Sequence, residues 1–151
     1  MRIEPRLNGH LTPLDVEPQD LLLDILRERL ELTGAKRSCD VQVCGTCTVL
    51  IDGRPVSACT TLVHEARDRS VLTIEGLAET PEFARVHEVF TRHLALQCGY
   101  CTPGMALTVS ALLASGDLAD DEATVREALA GNVCRCTGYR AIIDAVRELA
   151  R

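Results

Sequence analysis

Eight cysteines form two groups of four, and the first quartet consists of Cys39, Cys44, Cys47 and Cys59. Its intervals are four, two and eleven residues, and its first three members lie in a stretch without periodic pattern. This is the plant-type spacing for a 2Fe-2S cluster, in which an irregular loop directs backbone N–H groups at the sulfurs. Structural zinc sites more often use two Cys-x2-Cys pairs. The spacing therefore favours iron and sulfur, with zinc and buried apolar cysteines as the alternatives.

The second quartet is Cys98, Cys101, Cys134 and Cys136, and its spacing is less diagnostic. The first pair precedes a predicted helix and could form a redox dithiol. No βαβ pattern surrounds it, however, and the second pair also precedes a predicted helix. Two such pairs would place four thiolates around one centre, where helix N-termini offset their charge. We predict a metal site, with a redox dithiol or core thiols as the alternative.

Short strands and two hairpins surround the first quartet. Asn8-Gly9 and Asp52-Gly53 each separate two apolar runs, and such dipeptides favour type I′ turns. Apolar residues recur at helical spacing over residues 22–30. The first half is therefore predicted to be a small mixed sheet with one helix.

Helix ends can also be predicted from the sequence. Asp20 is the predicted N-cap of the helix over residues 22–30, and Gly34 its left-handed end. Thr102 is the predicted N-cap of a later helix, because Pro103 suits the first helical position.

The pattern changes near Gly76, and the residues beyond it show the 3.6-residue helical period. We predict four helices there. The resulting fold class is α+β, with one domain over residues 1–76 and a helical domain over residues 77–151.

Composition excludes several functions. The net charge is −6 and Lys36 is the only lysine, which argues against nucleic-acid binding. Apolar runs fall short of the ~18 residues of a membrane span. The first residues lack a signal-peptide pattern, which predicts a cytoplasmic location where disulfides rarely persist.

The histidines are dispersed and no phosphate-binding glycine loop is present, so we expect no catalytic residue in this chain.

Three strings resemble the small iron-sulfur subunit of the xanthine oxidase family of molybdenum hydroxylases, which includes aldehyde oxidoreductases, carbon monoxide dehydrogenases and azaarene hydroxylases. They are Cys39-Asp-Val-Gln-Val-Cys-Gly-Thr-Cys-Thr-Val, Gln97-Cys-Gly-Tyr-Cys-Thr-Pro-Gly-Met and Gly131-Asn-Val-Cys-Arg-Cys-Thr-Gly-Tyr. The resemblance implies a β-grasp ferredoxin-like domain followed by a four-helix domain, each with one 2Fe-2S cluster held by its quartet. Ser38, Val41, Gln42 and Val43 depart from the glycine and the small or polar residues of many relatives, from which we expect a shifted loop or potential.

The resemblance also implies partners. A large subunit would carry molybdopterin, in its cytosine dinucleotide form, and a medium subunit would carry FAD, in a dimer of heterotrimers. Gln97 and Cys136 would lie against the pterin. The chain would pass electrons one at a time from molybdenum towards the flavin. The alternatives are a free-standing 2Fe-2S carrier that docks with several partners and a zinc-stabilised assembly module.

Overall fold

The computed structural model describes residues 1–118 and 120–151, and it combines a small sheet with a helical layer. The strands are β1 (Arg2–Ile3), β2 (Arg6–Leu7), β3 (His10–Leu11), β4 (Leu14–Asp15), β5 (Thr48–Ile51), β6 (Arg54–Ser57) and β7 (Ser70–Leu72). The helices are α1 (Leu22–Asp24), α2 (Ile74–Leu77), α3 (Pro81–Arg92), α4 (Thr102–Ser115), α5 (Glu122–Ala128) and α6 (Arg140–Leu149). No helix in these two ranges is long and apolar enough to cross a membrane.

The main sheet has the order β3-β2-β7-β5-β6, with β2 and β7 parallel and the other neighbours antiparallel. Both predicted hairpin turns are confirmed, because Asn8 and Asp52 have positive φ angles of 48° and 49° and each precedes a left-handed glycine. The first hairpin is shorter than predicted. Pro5 separates β1 from β2, and β1 pairs with β4 in a separate two-stranded sheet. A proline has no N–H to donate to a strand ladder.

Both predicted ends of the first helix are wrong. Leu21 is the N-cap, because the Asp20 carboxylate instead accepts a hydrogen bond from the backbone N–H of Glu17 at 2.9 Å. The helix continues from α1 as a π-helical turn, and the left-handed residue beyond it is Glu31, with φ 56°. Gly34 serves a different purpose: a Cβ there would lie 2.1 Å from Ile74 Cγ2.

The helix α4 is the central element of the helical half. Its N-cap is Cys101, one residue before the predicted Thr102, and it ends at the left-handed Gly116. Buried residues cover most of its circumference, because it packs on α3 on one side and on β5 on the other.

Two hydrophobic cores meet at β5. Val49 and Ile51 belong to the core of the sheet half, whereas Leu50 points into the core around α4. Because side chains alternate along a strand, β5 contributes to both cores. This packing brings the loop before β5 next to the N-terminus of α4, and these two segments carry most of the cysteines.

Candidate metal centres

The loop of the first quartet directs backbone N–H groups at a cysteine sulfur. The N–H groups of Val43 and Cys44 each donate to Cys39 Sγ at 3.4 Å. Hydrogen bonds from the backbone of Val41, Val43 and Cys44 lower the pKa of Cys39 to about 6. The loop winds through three residues with left-handed backbone: Asp40, Gln42 and Gly45. Donors of this kind are what a plant-type cluster loop provides to its sulfurs.

The hairpin β5–β6 brings the other two members of the first quartet together. Cys47 precedes β5 and Cys59 follows β6, and the N–H of Ala58 donates to the carbonyl of Cys47 at 3.3 Å. Both thiols are buried. Burial raises the pKa of Cys47 to about 12, so without a metal this thiol stays protonated at neutral pH. Iron binding would displace the proton.

Three of the four residues that depart from the family pattern lie on the exposed side of the loop, whereas Ser38 lines the cavity that the second quartet shares. Val41 and Val43 are 65% and 60% exposed, and Gln42 is also exposed. The Gln42 side chain accepts a hydrogen bond from the hydroxyl of Thr60, next to Cys59. The longer side chains are therefore accommodated on the outside of the loop.

The second quartet lines a single cavity of about 190 Å³, with Cys44 on its wall. The Sγ atoms of Cys98 and Cys136 are 3.5 Å apart. Cys101 and Cys134 line the same cavity, and the Thr137 hydroxyl donates to Cys134 Sγ at 3.2 Å. The four thiols therefore surround one shared space, with Cys98 and Cys136 in direct contact.

The thiols of this cavity differ in their electrostatics. The backbone N–H of Tyr100 lowers the pKa of the exposed Cys98. Burial raises the pKa of Cys101 to about 12. Burial opposes ionisation of Cys134 as well, but its pKa is lowered because the Thr137 hydroxyl and nearby backbone groups donate to it.

Tyr139 organises the segment that holds Cys134, a role that the sequence analysis missed. Its hydroxyl accepts the backbone N–H of Cys134 at 2.8 Å and donates to the carbonyl of Asn132 at 3.2 Å. Tyr139 is also the N-cap of α6, with φ 68°. Cys134 and Cys136 precede α6, as predicted, and the left-handed Tyr139 lies between them and the first helical residue.

The two cysteine loops touch each other. The N–H of Val133 donates to the carbonyl of Cys44 at 2.9 Å. A Cβ on Gly104 would lie 2.1 Å from the carbonyl oxygen of Gly45, and a Cβ on Gly45 would lie 2.3 Å from the carbonyl oxygen of Gly131. Glycine is therefore required where α4 and the two loops meet, and the quartets are held in contact.

Gln97 and Cys136 both lie at the surface. Cys136 is on the wall of the cavity, whereas Gln97 is adjacent to it in sequence through Cys98. Within residues 1–118 and 120–151, the Gln97 side chain makes no hydrogen bond to another protein group. Its amide is therefore available to a partner.

The donor sets fit two-iron clusters better than single ions. In the described part of the chain, no three His, Cys, Asp or Glu side chains converge as a mononuclear site requires. A 2Fe-2S cluster instead takes two ligands on each of its two irons. The second quartet surrounds one cavity and can divide in this way. So can the first, where the N–H of Cys44 donates to Cys39 Sγ and the N–H of Ala58, next to Cys59, donates to the carbonyl of Cys47.

Comparison with known proteins gives consistent matches to both halves. Residues 14–85 match the family described as a 2Fe-2S iron-sulfur cluster binding domain, and residues 73–147 match a second family described as a 2Fe-2S binding domain. The chain is 42% identical to the 6-hydroxypseudooxynicotine dehydrogenase complex subunit beta of Paenarthrobacter nicotinovorans, covering 95% of this chain and 90% of that one. It is 45% identical to the nicotinate dehydrogenase small FeS subunit of Eubacterium barkeri, covering 96% and 92%.

Solved structures agree. Quinoline 2-oxidoreductase from Pseudomonas putida 86 contains a chain with a TM-score of 0.91 and 46% identity, covering 99% of this chain and 92% of that one. Aldehyde oxidoreductase from Desulfovibrio gigas gives a TM-score of 0.89 and 35% identity, but this chain covers only 17% of that longer one.

The fold and the two quartets thus define a protein with ferredoxin-like 2Fe-2S binding domains, and the predicted mixed fold class is confirmed. More specifically, the chain belongs to the small iron-sulfur subunits of the xanthine oxidase family of molybdenum hydroxylases. The resemblance stated from its three cysteine strings is confirmed.

Proposed function

We propose that the chain is the electron-transfer subunit of a molybdenum-containing hydroxylase or dehydrogenase. It carries electrons one at a time from molybdopterin on a large subunit, through two 2Fe-2S clusters, to FAD on a medium subunit. The observation that carries the proposal is the direct contact of the two cysteine quartets, through the hydrogen bond from Val133 to Cys44. A relay needs its centres close together, and here both lie at one junction of the fold.

Each quartet is the proposed ligand set of one cluster. Cys39, Cys44, Cys47 and Cys59 hold the first cluster in a ferredoxin-like β-grasp domain over residues 1–76. Cys98, Cys101, Cys134 and Cys136 hold the second in a four-helix domain over residues 77–151. The separate hydrophobic cores on either side of β5 support this division. When bound, each cluster supplies one-electron redox chemistry; the chain supplies thiolates, N–H donors and burial.

The proposed partners follow the arrangement of the family. The large subunit carries molybdopterin as the cytosine dinucleotide, a medium subunit carries FAD, and the complex is a cytoplasmic dimer of heterotrimers. Gln97 and Cys136 are the proposed contacts to the pterin, and their exposure supports this because a buried side chain could not reach a partner. The substrate is bound by the large subunit.

Purification of the native complex tests the proposal. We expect about four irons per chain, two for each cluster, with molybdenum and flavin on copurifying subunits. The reduced protein should give two distinct EPR signals. About two irons per chain, or zinc in place of iron, would contradict the double-cluster assignment. A fully loaded chain that never copurifies with a molybdenum subunit would instead identify a free-standing carrier.

A further inference from the structure

The only lysine of the chain lies between the two cysteine loops. The ammonium of Lys36 donates to the carbonyl of Gly34 at 2.9 Å and lies 5.6 Å from the centroid of the Tyr100 ring. Tyr100 stands between Cys98 and Cys101 in the sequence. A cation over an aromatic face at this distance is held by the ring quadrupole. The positive charge is therefore fixed beside the second quartet.

Contacts with both loops hold this arrangement in place. The N–H of Lys36 donates to the carbonyl of Thr46 at 2.9 Å, and the Thr46 hydroxyl donates back to the carbonyl of Lys36 at 3.1 Å. On the other side, the Tyr100 hydroxyl donates to the carbonyl of Arg37 at 2.8 Å. The Lys36 backbone is thus anchored to the loop of the first quartet, while its ammonium reaches the loop of the second.

The Glu75 carboxyl group acts on the charge of Lys36, but no salt bridge within the described residues neutralises that charge. Among the residues that the structure describes, no carboxylate forms an ion pair with it, whereas the adjacent Arg37 is paired with Asp24 and Asp40. Lys36 is also half-buried, so water screens its field less than that of a surface lysine.

The groups that surround the Lys36 ammonium act on its pKa in both directions. Burial lowers the pKa of Lys36, and the neighbouring Arg27 lowers it further. The carboxyl group of Glu75 and the thiol of Cys101 act in the opposite direction. The geometry points the same way, because the ammonium lies over Tyr100, which directly precedes Cys101 in the sequence.

We infer that the fixed charge of Lys36 raises the reduction potential of the cluster held by the second quartet. The inference rests on the proposed function. One-electron reduction makes a 2Fe-2S cluster more negative by one charge, and a nearby cation stabilises the reduced form. Lys36 therefore favours electron uptake at the cluster next to Cys101 and acts less on the first cluster.

Chemical modification of the full chain carrying both clusters tests this without any refolding, because the chain has one lysine. Acetylation removes the charge of Lys36, whereas reductive dimethylation keeps it. Both reagents also modify the terminal amine, and acetylation removes that charge as well, so acetylated Lys36→Arg, which loses only the terminal charge, is the control. In EPR-monitored redox titrations we expect acetylation to lower the reduced-to-oxidised ratio of the second cluster about tenfold at fixed potential, equivalent to ~59 mV for one electron.

Substitutions provide an independent comparison. Lys36→Gln should lower the potential of the second cluster as acetylation does. Lys36→Arg should leave that potential unchanged, because a guanidinium keeps the positive charge and also stacks on an aromatic ring. Arg6→Gln is the matched control, since it removes one exposed positive charge from the far hairpin of the sheet. The EPR signal that survives in Cys44→Ser identifies the second cluster.

The outcomes separate this inference from the proposed function. Two signals with a selective shift of the second support the role of Lys36. Two signals with no shift, with equal shifts of both, or with the same shift in Arg6→Gln overturn it while leaving the proposed function intact. Absence of two 2Fe-2S signals in the unmodified chain overturns the proposed function itself.

Discussion

At the residue scale, donated N–H groups and burial make the eight thiols unequal. Cys39 accepts backbone N–H groups and has a low pKa, whereas burial raises the pKa of Cys47 and of Cys101 to about 12. Hydrogen bonds to sulfur and solvent exposure are also two of the factors that set cluster potentials. The first quartet therefore combines the half-buried Cys39 and Cys44 with two buried thiols. The second combines the exposed Cys98 and Cys136 with the half-buried Cys101 and the buried Cys134.

The hydroxyl of Tyr139 is predicted to stabilise the second quartet. In Tyr139→Phe, the N–H of Cys134 and the carbonyl of Asn132 lose their shared partner, at a cost of about 1–3 kcal/mol. We expect chelators to remove the second cluster faster, with the first unaffected, in EPR time courses. Tyr100→Phe is the control, because it loses one hydrogen bond at a more exposed position. Equal rates in the two variants would remove Tyr139 from this role.

Gln97 is predicted to act at the interface with the pterin. Gln97→Ala should keep both clusters, because an amide is not a thiolate ligand, yet weaken pterin positioning by about 1–3 kcal/mol if a buried polar partner is left unsatisfied. In stopped-flow experiments on the complex, reduction of the clusters by substrate should slow, whereas reduction by dithionite should not. Unchanged substrate traces with molybdenum fully loaded would show that Gln97 is only a surface polar residue.

At the scale of elements, the start of α4 is predicted to tolerate no side chain at Gly104. Alanine there would place its Cβ 2.1 Å from the backbone oxygen of Gly45, and overpacking of this kind costs about 1–3 kcal/mol. Denaturant unfolding should show the loss. Gly131→Ala is the control, because that Cβ would meet nothing within 4 Å. Similar stability of the two variants would contradict the close contact between α4 and the loop of the first quartet.

The elements that the sequence predicts well are those determined locally. Asn8-Gly9 and Asp52-Gly53 adopt the predicted turns because their backbone preference suffices. Gly34 was misread because its role depends on Ile74, forty residues further along the chain. The hydroxyl of Tyr139 was missed for a related reason: its partners are backbone groups, which no spacing of residue types reveals. Cysteine spacing predicted both candidate centres but not their contact through Cys44 and Val133.

At the scale of the whole molecule, the two halves of the chain have separate cores but are in direct contact. The sheet half and the helical half have separate cores, and each contains one quartet. The two halves share β5 and the junction around Gly45, Gly104 and Asn132. Such an arrangement fixes the distance between the quartets while each half keeps its own four cysteines.

This division predicts the effect of removing one ligand of the first quartet. Cys44→Ser should abolish the first EPR signal and expose residues 39–47 to hydrogen exchange. These residues contain no helix or strand, so their order should depend on the bound cluster. The second signal should persist, since its four proposed ligands and its core lie in the other half. Serine also keeps the backbone carbonyl that accepts from Val133. The reciprocal variant, Cys101→Ser, should lose only the second signal. Loss of both signals in Cys44→Ser would show that the two halves depend on one another for cluster binding, and the proposed boundary at residue 76 would then be wrong.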